Sequence, residues 1–196
     1  MYESTFETKW LYEARDLLNY SYDKFYDNQL GTFWFTSSEE EQLFAKKQNN
    51  DDSVIPASNS TMAMNMFKLG RYFSREDWIE RSDRMVLASW EASLNIRSAT
   101  HWGQSLLTRS YPFYEIAITS TNEQDLVFAR EKLDETFLPQ SLLVAGTSKT
   151  EFPLWLKGKT PEKDSNASLK IFVCQEGACQ LPVETVEDTL KQLNLN

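Results

Sequence analysis

The stretch Tyr111-Pro112-Phe113-Tyr114-Glu115-Ile116-Ala117-Ile118 divides the chain into two patterns. Before it, apolar residues recur three and four positions apart, the spacing of helices with one buried face. After it, the run is aromatic and β-branched, the composition of a strand. Pro112 has no amide hydrogen with which to continue a helix, so the change falls there. The chain therefore reads as mixed α and β, mainly α. Helical hairpins occupy residues 1–112, and a small α/β unit with about three strands occupies residues 113–196.

Working back from Pro112, residues 100–109 read as a short helix and residues 74–96 as a longer one. Trp78, Val86, Trp90 and Leu94 give the longer helix its spacing, with Met85 and Leu87 beside them. A helix over 60–72 carries Met62, Met66, Leu69 and Phe73 as its stripe, and Ser58, Asn59 and Ser60 are its N-cap candidates. Residues 37–57 are mostly polar, with Leu43-Phe44-Ala45 as an apolar island, and form a long connection of the functional or mobile kind. Thr32-Phe33-Trp34-Phe35-Thr36 reads as a brief strand. Residues 4–27 read as one helix, opened by a Ser4/Glu7 capping box and striped by Trp10, Leu11, Ala14, Leu17, Leu18 and Phe25.

Working forward, residues 122–137 predict a helix with Leu126, Ala129, Leu133 and Phe137 on one face. Ser141 to Ala145 is a second strand, Phe152 to Leu156 a short apolar element, and residues 157–166 a polar linker. Leu169 to Cys174 is a third strand, and Glu184 to Leu193 a last helix. Strand, helix, strand in this order predicts a βαβ unit.

Hydrophobic residues make up 41% of the 196, enough for a sizeable core. The six glycines fall well below the roughly 14 that ordinary usage of about 7% would give, which argues against a Gly-rich phosphate cradle. The net charge of −9, with its densest run at Glu39-Glu40-Glu41, excludes the basic face that nucleic acid or an anionic membrane requires. No apolar run approaches the ~18 residues of a membrane span. Met1-Tyr2-Glu3-Ser4 lacks a signal-peptide pattern, so the three N-x-S/T triplets at Asn19, Asn59 and Asn166 read as chance and the expected location is the cytoplasm.

Four features carry potential chemistry. Asp52 through Ser60, with Pro56 forcing an extended approach to a helix start, offers small polar groups that either cap the helix or hold a ligand hydroxyl or anion. Phe33, Trp34 and Phe35 are either core or a stacking surface for a sugar or other flat ligand. His101, beside Trp102, is the single histidine and hence the one possible imidazole base, although nothing in the sequence fixes a partner for it. Cys174 and Cys179 have C-x4-C spacing around a Gly-containing turn. They could approach within disulfide range, but in a reducing cytosol are expected to remain buried structural thiols, a redox or metal role being the alternative. Asp51-Asp52 is an adjacent carboxylate pair in a loop. Glycoside cleavage needs two carboxyls about 5 to 9.5 Å apart across a cleft, a separation the sequence does not disclose.

Four motifs in order also support a resemblance. They are Gly-Thr-Phe-Trp-Phe-Thr at 31–36, Ile-Pro-Ala-Ser-Asn-Ser at 55–60, Pro-Phe-Tyr-Glu-Ile-Ala-Ile at 112–118, and Phe-Val-Cys-Gln-Glu-Gly-Ala-Cys-Gln-Leu-Pro-Val at 172–183. Together they resemble the C-terminal part of the thioredoxin-domain-containing proteins related to spermatogenesis-associated proteins. Such proteins join a thioredoxin-like domain to an α/α toroid similar to N-acylglucosamine 2-epimerases and six-hairpin glycosidases. The resemblance implies that residues 1–112 are hairpins of a partial α/α toroid, inactive alone. It carries over Asp52, Pro56, Asn59 and Ser60, with Ala57 and Ser58 departing from the family's Ser-Gly form, and it matches Cys174 and Cys179.

The expectations are then a carbohydrate or other small molecule as ligand, with Asp52, Asn59, Ser60, Trp34 and Trp102 as binding candidates. No cofactor and no metal is expected. The remaining domains of a parent protein are expected partners, as is self-association through apolar surface left by missing hairpins. The alternatives are a non-catalytic scaffold or interaction domain, or a redox accessory using Cys174 and Cys179.

Overall fold

The computed structural model describes residues 1–40, 45–92, 99–150, 153, 156, 159 and 168–193. Leu43, Phe44, Leu94, most of 152–156 and nearly all of the 157–166 linker lie outside them, as does the side chain of Trp90. Among the described residues the fold is mixed α and β and mainly helical. It forms two compact units, Leu11–Ser110 and a second made of Tyr111–Asn196 together with Met1–Trp10.

The first helix is not continuous. Helix α1 (Tyr2–Thr5) ends at Phe6, whose φ of 54° is left-handed, and helix α2 (Lys9–Phe25) follows. The Ser4/Glu7 box does not form, because the Glu7 amide donates to Thr5 Oγ1 at 3.3 Å. The cause is tertiary. Tyr2 is buried and Phe6 packs on the core of the α/β unit, while the Glu3 carboxylate accepts from the Leu143 amide at 3.1 Å. This also corrects the expected boundary, since residues 1–10 belong with the C-terminal unit rather than with the helices. Within α2, Leu11 and Leu18 are buried, but Leu17 is exposed, one step off the buried stripe.

The helical unit continues with a two-stranded hairpin, β1 (Tyr26–Asp27) against β2 (Thr32–Phe33). The Asp27 carboxylate accepts from the Gln29 and Leu30 amides, and Gly31 takes a φ of 72° to close the turn. Helices α3 (Ser58–Phe73), α4 (Glu76–Ala92) and α5 (Thr100–Ser110) follow. Leu18, Phe33, Met66, Trp78, Met85 and Trp102 form their shared core. The α3–α4 turn has Ser74 at φ 52°, and the amides of Ser74 and Arg75 return to the carbonyls of Arg71 and Gly70. A β-carbon on Gly70 would lie 2.6 Å from Ile79 Cγ1 and 3.1 Å from the Arg75 carbonyl, so the helices meet where a side chain has no room.

The α/β unit carries a four-stranded sheet in the order β4-β3-β5-β6: β3 (Tyr114–Ser120), β4 (Ser141–Gly146), β5 (Leu169–Gln175) and β6 (Ala178–Cys179). Strands β3 and β4 are parallel and joined through α6 (Glu123–Asp134), which is the expected βαβ unit; β5 runs antiparallel to β3. Asn122 and Thr185 cap α6 and α7 (Val186–Gln192) through their side chains. Ile116, Ile118, Leu126, Ala129, Leu133 and Val173 are buried together. Phe137, expected on the inner face of α6, lies beyond its end and is exposed, because the helix stops at Asp134.

Two substitutions test the α3–α4 turn. Ser74→Gly relieves a left-handed residue and should stabilise the chain by about 0.5–1 kcal/mol, the difference between the steric relief and the extra chain entropy of glycine. Gly70→Ala gains helix propensity but overpacks the crossing, for a net loss of about 1 kcal/mol. Urea denaturation midpoints of the two variants should therefore move in opposite directions.

Candidate functional site

Asp52 comes from the long connection before α3 and is 2% exposed. Its Oδ1 accepts from the Ala57 amide at 2.8 Å and from Ser60 Oγ at 2.7 Å. Its Oδ2 accepts from the amides of His101 at 2.8 Å and Trp102 at 3.1 Å. One carboxylate thus satisfies donors at the starts of α3 and α5, where the helix dipoles also favour negative charge. Burial pushes the Asp52 carboxyl up. The bonds from Ala57, Ser60, Trp102 and His101 outweigh that, and hold it below the ordinary value.

Ser60 and Asn59 do not cap α3, contrary to one of the two readings of this motif. The N-cap is Ala57, with no side-chain bond of its own, because Asp52 serves that end from five residues upstream. Ser60 is fully buried, and its Oγ also lies 2.9 Å from the Ala57 carbonyl. Asn59, fully buried, accepts from the Phe33 amide at 2.7 Å and donates to the Phe33 carbonyl at 2.9 Å, as a neighbouring strand would. Its Nδ2 also donates to Asn50 Oδ1 at 2.8 Å. Trp102, 0% exposed, donates through Nε1 to the Asn50 carbonyl at 2.7 Å.

His101 Nδ1 lies 3.1 Å from Ser60 Oγ. Aspartate, serine and histidine therefore meet, a contact between distant residues that spacing could not disclose. Their order is wrong for nucleophilic catalysis. The Ser60 hydroxyl donates to the carboxylate, whereas catalysis needs the carboxylate to orient the imidazole. Ser60 Oγ, within hydrogen-bond distance of the imidazole, is fully buried inside the fold.

The sequence-predicted binding set is thus mostly internal. Asp52, Asn59, Ser60 and Trp102 are buried and hold the helix starts and the hairpin together. Trp34 is half-buried, donates to Asp27 Oδ2 at 3.0 Å, and has Lys46 over its ring. Their outward neighbours form a concavity instead. Phe35, Lys47, Gln48, Asn49, Asn50 and Asp51 line an open groove of about 310 Å³. Trp34 bridges Gln48, and the Phe35 amide donates to the Lys47 carbonyl, so two extended segments run side by side. Phe35 is 65% exposed, and Asp51 points outward where Asp52 points in. Phe35 and Asp51 were legible as members of aromatic and acidic runs; the inward and outward sense of each was not.

Cys174 and Cys179 correct a further expectation. They form a disulfide, and while Cys174 is buried, Cys179 is exposed. The pairing follows from the hairpin register, which sets them directly opposite. Among the described residues, no group of three His, Cys, Asp or Glu side chains is placed to hold a metal ion, and no helix is long and apolar enough to cross a membrane. No family model and no curated protein matches this chain.

Asp52→Asn should cost about 2–4 kcal/mol, because an amide NH2 would face the His101 or Ala57 donors and leave them unpaired. Folding depresses the Asp52 carboxyl, so its stabilisation is present above the ordinary value of 3.8 and is lost as pH falls through the lower folded value. Stability measured against pH should fall on acidification, and less steeply in Asp52→Asn. Some slope should remain, since Asp77, Asp125 and Asp188 are also depressed.

Proposed function

We propose that this chain is the C-terminal piece of a carbohydrate-directed protein of the α/α-toroid kind, and that it contributes a sugar-contacting groove. The observation that carries the reading is the exposed Phe35 ring beside Lys47, Gln48, Asn49, Asn50 and Asp51. An exposed ring offers an apolar face to the C–H side of a sugar. Planar amides both donate to and accept from its hydroxyls, and a carboxylate accepts from them. Concave sites with a few directed polar groups are the usual form of small-molecule sites.

The groove is a binding surface and not a complete active site. Cleavage of a glycoside takes two opposed carboxyls. Asp51 is the single carboxylate among the described lining residues, and Asp52 already accepts four hydrogen bonds inside the fold. The resemblance of the four motifs to toroid proteins supports the same division, with the other hairpins supplying the rest of a cleft.

Calorimetric titration of the chain with neutral and N-acylated sugars tests this. Binding to at least one sugar is expected. Phe35→Ala should weaken it by about 0.5–1.5 kcal/mol, the contribution of a stacked ring, and Asp51→Asn should also weaken it. Both residues are outside the buried network, so thermal stability should not change. A panel with no binder, or binding indifferent to both substitutions, would remove the reading.

A further inference from the structure

The Cys174–Cys179 disulfide belongs neither to the groove nor to the Asp52 network. Strand β5 turns at Glu176 (φ 50°) and Gly177 (φ 80°) into β6. Positive φ at both loop positions makes a two-residue hairpin turn matched to strand twist. Its register pairs Gln175 with Ala178 and Cys174 with Cys179, whose Cα atoms are 3.9 Å apart. The two halves of the bridge differ in access: Cys174 is 2% exposed, whereas Cys179 is exposed on β6, at the edge of the sheet.

The register does not depend on the bridge. The Gln180 amide donates to the Val173 carbonyl at 2.9 Å, and Ile171 and Val183 exchange two backbone bonds at 2.8 and 3.0 Å. Gln192 also holds the Leu181 carbonyl at 2.9 Å. If the sulfur–sulfur bond opens, these contacts keep the cysteines opposite each other. A bridge that is accessible on one side and prealigned for closure has the features of an exchanging disulfide, in contrast to a buried staple.

We infer that Cys174–Cys179 is a thiol–disulfide exchange site that takes a dithiol as reductant, with Cys179 Sγ as the sulfur attacked. A thiolate of the dithiol forms a bond to Cys179 Sγ while the Cys174–Cys179 bond breaks, and Cys174 leaves as a thiolate that takes up a proton. The second thiol of the reductant, losing its proton, then attacks its own sulfur in the mixed disulfide and releases Cys179. In balance, the protein disulfide gains two electrons and two protons, and the dithiol becomes a disulfide. Cys174, held opposite by β5, closes the bridge again when a disulfide oxidant reverses the sequence. This inference is independent of the sugar reading, since no groove residue takes part.

The test uses the whole chain, purified without reductant. Brief exposure of the native protein to reduced glutathione, a monothiol, is quenched with N-ethylmaleimide and read by peptide mass mapping. The expected product carries glutathione on Cys179 and maleimide on Cys174. Dithiothreitol should reduce the native bridge fully with the far-ultraviolet spectrum retained, and the bridge should re-form with oxidised glutathione. In Cys174→Ser the Cys179 adduct should persist, because the resolving sulfur is gone; the wild-type trap remains decisive if that variant does not fold. Glutathione found on Cys174, a bridge that opens only in denaturant, or two free thiols in the unreduced native chain would each overturn the inference.

Discussion

The helical unit depends on one buried charge. The Asp52 carboxylate receives four hydrogen bonds, from Ala57 and Ser60 at the start of α3 and from His101 and Trp102 at the start of α5. The first amides of a helix have no partner inside it, and burying them unpaired is costly. One aspartate meets that need at two helices at once, and the positive ends of both dipoles lower the cost of placing a charge there. The long polar connection before α3 is consequently anchored at its end. Asn59 extends the arrangement by joining α3 to the hairpin strand at Phe33, and Asn50 joins Asn59 to Trp102.

This anchoring bears on function by dividing neighbours between inside and outside. In an extended segment, successive side chains point to opposite sides. Asp52 enters the network and its neighbour Asp51 is exposed; Phe33 enters the core from within β2, whereas Phe35, beyond the end of that strand, is exposed. The polar residues that attract attention in the sequence are therefore largely structural, and the groove is made by residues next to them. Rigid inner partners position the outer set and so give the groove its shape.

The α/β unit shows a different kind of dependence on distant residues. Its parallel β3–β4 pair and capped α6 follow from local signals, namely strand composition, an Asn N-cap and a periodic helix. The edge strand β4 is served by Glu3, which lies 140 residues away in sequence. Phe6 accepts a left-handed backbone so that α1 can lie within this unit. Local propensity favoured a single helix there, and tertiary burial of Tyr2 and Phe6 outweighed it. At the other edge, the two-residue turn after Gln175 decides that Cys174 and Cys179 are cross-strand partners.

By itself the sequence determined the class of the chain, mainly α with a small α/β unit. It also determined most element positions, because apolar periodicity, caps and turn residues act over a few neighbouring residues. It marked Asp52, Asn59 and Ser60 as a motif and the two cysteines as a pair. Only the tertiary structure decided that Asp52 serves α5 from 50 positions away, that Asn59 pairs with Phe33, and that Phe35 and Asp51 rather than Trp34 and Asp52 face solvent. The reason is physical. Whether a polar group binds a ligand or a backbone amide depends on which unpaired donors the fold brings to it, and those donors come from parts of the chain that local pattern does not connect.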